Sequence, residues 1–166
     1  MRDFVQNVLR ALAEEKARYL LVGGIAAVIY GAPRVTVDVD IIADFDEENL
    51  KKIDSAAKKL GLKPVVPLDI TRLANSEFRK QVIAEKNMKA FSYINPDLPV
   101  EVLDILVDTP IDFAEAFPRR KEIEFEDFKV PVIGLDDLIF MKKKSGRGKD
   151  LADIKILEKI RSMKNE

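Results

Sequence analysis

The chain has 166 residues and a mass of 18.8 kDa, the size of one domain; at that length roughly 70% of the unfolded surface is buried and no disulfide or structural metal is needed. Its 28 Lys and Arg against 29 Asp and Glu leave a net charge of −1, which excludes a protein that coats nucleic acid by global charge but leaves room for a local basic patch. Cysteine and histidine are both absent. Disulfide scaffolds, zinc fingers, thiol nucleophiles, Ser-His-Asp triads and His-ligated metals go with them, so any metal must be a hard cation on oxygen ligands and acid–base work falls to carboxylates, Lys or Tyr.

Taken in chain order, Phe4, Val5, Val8, Leu9 and Leu12 recur at helical spacing, and Asp3 is placed to cap a helix over 3–16. Tyr19–Val22 reads as a buried strand running into Gly23-Gly24 and an Ala/Ile-rich helix that stops at Gly31, with Pro33 closing it. Residues 35–43 alternate as a strand, Thr36, Asp38, Asp40, Ile42 and Asp44 falling on one face. A charged amphipathic helix is expected over 46–60, ended by Gly61, then a brief strand over 63–66. Helix follows over 75–85 and strand over 89–94. Residues 100–107 are nearly all apolar and predict a central strand buried on both faces. A short helix over 111–117, a hairpin of 122–125 with 129–133, and helices over 135–143 and 149–163 complete the chain. The order implies α/β or α+β architecture with a C-terminal helical pair. The N-terminus lacks the cationic lead and apolar run of a signal peptide, and the longest apolar stretch, 19–30, is broken by Gly23-Gly24 and too short for a bilayer. A cytoplasmic protein with no membrane association is expected.

The chemistry concentrates on three acids. Asp38 and Asp40, two apart on a strand, project from one face, a pattern that a solvated strand face shares. Asp104 interrupts an apolar run, where an acid is costly unless paired or ligating. If the two strands are neighbours, the carboxylates converge, and each pair about 5 Å apart costs about 3 kcal/mol at an effective dielectric near 20. Such a centre calls for partial protonation or a divalent cation, and Mg²⁺ takes one or two carboxylates and completes its shell with water and phosphate. Gly23-Gly24, at a strand-to-helix turn, is either a tight turn or an anion site formed by a helix N-terminus. Residues 142–149 carry five basic side chains, which serve either as helix-dipole partners or as phosphate ligands.

Together these pieces resemble the nucleotidyltransferase superfamily related to DNA polymerase beta, whose Gly-Gly or Gly-Ser turn, helix, Asp-x-Asp strand and third acid read here as Gly23-Gly24, Asp38-Val39-Asp40 and Asp104. Arg34-Val35-Thr36-Val37-Asp38-Val39-Asp40 is similar to the Arg-x-Ser/Thr-x-Asp-x-Asp segment of minimal members that include AbiEii-type toxins, and Lys142, Arg147, Asp150 and Asp153 to a Lys…Arg-x-x-Asp-x-x-Asp pattern. The resemblance implies a nucleotidyltransferase fold over 1–166, with a mixed central sheet flanked by helices up to residue 133 and a helical pair over 134–166. It implies Mg²⁺ (or Mn²⁺) held by Asp38, Asp40 and Asp104, the last a metal ligand or base. It also implies a nucleotide site at Gly23, Gly24, Arg34, Thr36, Lys142, Arg147 and Asp150. The reaction would move a nucleoside monophosphate from a nucleoside triphosphate to an acceptor hydroxyl on RNA such as tRNA, a protein or a small molecule, with an antitoxin as partner protein. The wider family often has Ser where this chain has Gly24, so a non-catalytic nucleotide- or partner-binding member is the main alternative. A phosphatase or glycosyltransferase using Asp38-Val39-Asp40 is a further one, but it leaves Gly23-Gly24 and Asp104 without a role.

Overall fold

In the computed structural model, which describes residues 2–165, helix α1 (Arg2–Glu14) buries Phe4, Val8, Leu9, Ala11 and Leu12 at the spacing of one helix face. Asp3 lies inside its first turn instead of capping it, where a negative charge still meets the positive end of the helix dipole. Strand β1 (Tyr19–Val22), fully buried, passes directly into α2 (Gly23–Tyr30). Strand β2 (Val39–Ala43) leads to α3 (Glu47–Lys59), capped by Asp46, which accepts from the Asn49 N–H. There follow β3 (Lys63–Pro64), a 3₁₀ turn at Ile70–Ala74, α4 (Ser76–Lys86), β4 (Ala90–Asn95) and β5 (Leu98–Leu106). The remainder is α5 (Phe113–Ala116) with a 3₁₀ turn at Phe117–Arg119, the hairpin β6 (Lys121–Phe125) and β7 (Phe128–Val132), and helices α6 (Leu135–Ser145) and α7 (Gly148–Lys164).

The seven strands form one mixed sheet in the order β3-β4-β5-β2-β1-β7-β6. Strands β1 and β2 are antiparallel, while β2 with β5 and β1 with β7 are parallel. On one face, Tyr19, Leu21, Val39, Ile41, Ala43, Phe91, Tyr93, Leu103 and Ile105 are all buried. Helix α3 covers that face, and the Tyr93 hydroxyl donates to Asp54 of α3 at 2.8 Å. Helix α2 lies against β1 and β2 and is backed by α6 and α7. Its far end is pinned where the Tyr30 hydroxyl donates to the Ile133 carbonyl at 2.7 Å.

Two strands differ from expectation in ways that shape the site. Strand β2 begins at Val39, not at residue 35, because its partner β1 makes its last pairing at Val22 with Asp40 and turns into α2 at the next residue. Residues 35–38 therefore form a loop with Asp38 at the mouth of the strand. Strand β5 is buried on one face only: Leu103 and Ile105 are in the core, while Val102, Asp104 and Leu106 are half-buried on the other. The apolar run reflects a strand with one covered face and one half-open face, a distinction that composition does not carry.

Candidate active site

The sheet register sets the acids side by side. Asp40 pairs with Asp104 across the parallel β2–β5 ladder, and Asp104 pairs with Ser92 across β5–β4. With Val22 opposite Asp40, one row of side chains crosses four strands on the half-open face. The Ser92 hydroxyl donates to Asp104 Oδ1. Burial first, then the charges of Asp104 and Asp38, push Asp40 up from 3.8 to about 6, against the opposing pull of Arg147 and Lys149. Asp104 is raised as well, by burial and by Asp38, with the Ser92 hydrogen bond working the other way. Among the described residues no three Asp, Glu, His or Cys side chains are drawn close enough to chelate a metal ion by themselves. The row is an excess of half-buried negative charge with hard oxygen donors, which fits an ion such as Mg²⁺ that shares its shell with water and substrate phosphate.

Above this row lies the turn into α2. Gly23 has φ +68°, and a Cβ there would sit 2.1 Å from Asp40 Oδ2, so both the backbone angle and the approach of the carboxylate demand glycine. The N-cap residue Val22 provides no side-chain hydrogen bond, which leaves the first-turn N–H groups without a side-chain partner and the positive end of the helix turned towards the acids. Gly24 is buried against Thr36, whose Oγ1 lies 2.9 Å from where a Cβ would stand.

The C-terminal motif forms a separate charge cluster. Lys142 is 5% exposed, and its ammonium lies 3.3 Å from Asp150 Oδ1 and 2.8 Å from Asp153 Oδ2. Arg34 reaches Asp153 Oδ2 at 2.7 Å and Arg147 Nε reaches Asp150 Oδ2 at 2.9 Å. Burial alone would raise Asp150, but hydrogen bonds from Arg147 and Ser145 and the charge of Lys142 outweigh it and hold the carboxyl below its ordinary range. Lys142 and Asp150, expected among the nucleotide-binding residues, are both buried, and an ammonium between two buried carboxylates has its charge committed within the protein. Arg147 remains exposed at the start of α7, close enough with Lys149 to act on Asp40.

A family model described as nucleotidyl transferase AbiEii toxin, type IV toxin–antitoxin system, matches residues 7–165. The chain belongs to the AbiEii nucleotidyl transferase family. Solved structures share its fold. The lincosamide antibiotic adenylyltransferase LnuA, in its lincomycin-bound crystal structure, aligns with a TM-score of 0.62 at 16% identity, covering 96% of this chain and 98% of LnuA. The antibiotic-resistance factor ANT(2'')-Ia aligns with a TM-score of 0.60 at 15% identity, covering 98% of this chain and 90% of that one. A search of the curated proteins finds no match.

Within this nucleotidyltransferase fold, Asp38 and Asp40 lie at the start of β2, with Asp104 paired beside Asp40 near the end of β5, and Gly23 approaches Asp40 while Gly24 packs on Thr36. Arg34 and Arg147 are linked through the buried cluster to Lys142, Asp150 and Asp153. Ser92 escapes a reading of the sequence, and Asp153, visible there only as part of a motif, gains its partners from the fold. Ser92 is an ordinary serine in a short strand until the β4–β5 register puts it beside Asp104. Asp153 stands three residues after Asp150 on one helix face, a spacing that signals shared position but not the Arg34 and Lys142 it meets. A cleft of about 570 Å³ opens at the C-terminal ends of β2 and β5. Its charges are used internally: Arg18 on Asp44, Arg79 on the Leu73 and Ala74 carbonyls, and Asp112 as the cap of α5. Among the described residues no helix is long and apolar enough to cross a membrane.

Proposed function

We propose that the protein transfers a nucleoside monophosphate from a nucleoside triphosphate to an acceptor hydroxyl, using Asp38, Asp40 and Asp104 as the acidic centre. The observation that carries this reading is the Asp40–Asp104 pair, half-buried, uncompensated by close cations and set directly beneath the N-terminus of α2. The α2 turn would hold phosphate oxygens on its free N–H groups, with Arg147 and Lys149 at the rim adding positive charge. The acceptor oxygen forms a bond to the α-phosphorus as the bond from that phosphorus to the bridging oxygen breaks, and pyrophosphate leaves with the electron pair. Asp104, raised by burial yet still bonded by Ser92, is placed to take the acceptor proton, since a base works best with a pKa drawn towards neutrality. Mg²⁺ or Mn²⁺ held by Asp38, Asp40 and Asp104 would supply charge neutralisation at the phosphates. The family's toxin–antitoxin setting supports a partner antitoxin, and the acceptor is an RNA such as tRNA, a protein or a small molecule.

The test is incubation with Mg²⁺, each α-labelled nucleoside triphosphate, and separate RNA, protein and small-molecule acceptors. Label transfer is expected, and Asp40→Asn should lower it by about 10²–10³-fold, the usual cost of removing one preorganised electrostatic partner. Absence of transfer to every acceptor, together with nucleotide binding unchanged in Asp38→Asn and Asp40→Asn, would sink the proposal.

A further inference from the structure

The loop that delivers Asp38 has little backbone structure to hold it. Gly31, Ala32 and Arg34 each donate a backbone hydrogen bond to a preceding residue, at 2.9, 2.9 and 3.0 Å. From Val35 to Asp38, among the described residues, the backbone makes no turn or loop hydrogen bond, and Val35 is largely exposed. Yet the position of Asp38 matters. It is half-buried, and its charge is felt by both Asp40 and Asp104.

What fixes the loop is a side chain. Arg34 Nη1 lies 2.7 Å from Asp153 Oδ2, with side-chain exposures of 23% and 7%. The same oxygen takes the Lys142 ammonium at 2.8 Å, so Asp153 cannot turn away without stranding two cations. Asp153 belongs to α7, which also meets the start of the loop: a Cβ on Gly31 would come 3.1 Å from Ile160 Cδ1. The segment is therefore tied to the helical pair at Arg34 and to the ladder at Val39, with Asp38 between the two ties.

We infer that Arg34 is a positioning residue: its ion pair with Asp153 holds the 34–38 loop so that Asp38 stays within reach of the cation shared with Asp40 and Asp104. This rests on the reading of the three aspartates as the metal centre, and it gives that centre a support in the C-terminal helices. Sign separates the role from a direct electrostatic one. An arginine near a cation site repels the cation, so loss of its charge alone would strengthen cation binding. Loss of a tether weakens binding, because Asp38 must then be ordered as the cation arrives.

The test titrates the full chain with Mn²⁺ alone, followed by electron paramagnetic resonance, each variant being checked for an unchanged circular dichroism spectrum. Arg34→Gln leaves Asp153 its Lys142 partner, so no buried carboxylate is stranded. It should bind Mn²⁺ about 10-fold more weakly, the lower end of what loss of an outer partner of a metal ligand costs. Asp38→Asn should also weaken binding, and should cost less in the Arg34→Gln background than in the parent, because the tether acts through Asp38. In the metal-free protein, hydrogen exchange of the amides at 35–38 should be faster in Arg34→Gln, with β1 unchanged. An Arg34→Gln protein that binds Mn²⁺ as tightly as the parent, or more tightly, overturns the inference, and so do two substitutions whose effects simply add. Unchanged exchange at 35–38 overturns the tether. A parent that binds no Mn²⁺ overturns the reading of the metal centre instead, and the exchange measurement still decides whether Arg34 holds the loop.

Discussion

The molecule holds two pairs of neighbouring aspartates and treats them in opposite ways. Asp150 and Asp153 are almost wholly buried, yet three cations, Lys142, Arg34 and Arg147, reach them within 3.3 Å, and Asp150 is held below its ordinary range. Asp40 and Asp104 are less buried, yet among the described residues they have no ion pair and both are raised. The folded chain has paid for burial where charge is matched and left charge unmatched where burial is incomplete. Matched buried charge fixes one arrangement of helices, since a partner cannot leave without stranding the other. Unmatched charge at a half-open face favours a cation, and carboxyls raised in this way mark a candidate site for chemistry. The first cluster fixes local structure; the second has the character of a site.

The largest effect should come from breaking the matched cluster. Lys142→Met leaves two buried carboxylates short of a counter-charge and should cost about 3 kcal/mol or more of unfolding free energy, measured by urea titration at neutral pH. A loss below about 1 kcal/mol would mean that water reaches these carboxylates and would erase the contrast.

The unmatched pair should respond with the opposite sign. In the metal-free protein Asp40 is protonated in both states well below 3.8, and as pH rises from 3.8 to about 6 the unfolded chain ionises first while the folded one keeps its proton. Stability therefore falls across that window, and above it the full penalty, about 3 kcal/mol, is present. Asp40→Asn, which mimics the protonated form, should accordingly unfold at a higher temperature than the parent at pH 8 with chelator present and match it at pH 3, while Mg²⁺ should narrow the gap by stabilising only the parent. Equal melting of the two proteins at pH 8 would show that Asp40 is not under strain.

The smallest effect sharpens the comparison within the row. Ser92→Ala removes the neutral donor that Asp104 has among the described residues, and should lower stability at pH 8 by about 1 kcal/mol, the charge assistance of that bond being partly screened at a half-open site. The same change should raise the pKa of Asp104, seen by carbon-detected NMR titration of its carboxyl, because the hydrogen bond favours the ionised form. An unmoved titration would mean that the hydroxyl bonds to solvent and not to the acid.

Much of the secondary structure can be read from local pattern, and the reasons differ by element. The α1 stripe of Phe4, Val8, Leu9 and Leu12, the buried Tyr19–Val22 run and the Gly23-Gly24 turn are dictated by periodicity and by glycine, which act over a few residues. The extent of β2 was not so readable, because alternation from 35 to 43 describes what a strand could do, while the ladder ends where β1 bends away. The side of β5 that lies open was hidden for the same reason, since burial belongs to the layers above and below the sheet. Among the charges, Asp38, Asp40 and Asp104 stood out as acids among apolar residues, whereas the burial of Lys142 could not be inferred from a run of basic residues that reads as a solvated helix end.

By itself, the sequence determined which chemistry this protein can attempt. Without histidine or cysteine, it must work with carboxylates, hydroxyls and cations, and its order of motifs matches one family along almost the whole chain. Only the tertiary structure decided which of those groups meet. Asp40 and Asp104 are 64 residues apart in the chain and neighbours across a parallel ladder, a pairing that needs a long crossover and leaves no trace in local pattern. The same folding brings Arg34 to Asp153 and Thr36 to Gly24. It thereby sorts five aspartates of similar local appearance into two that are neutralised inside the protein and three that remain near its open face.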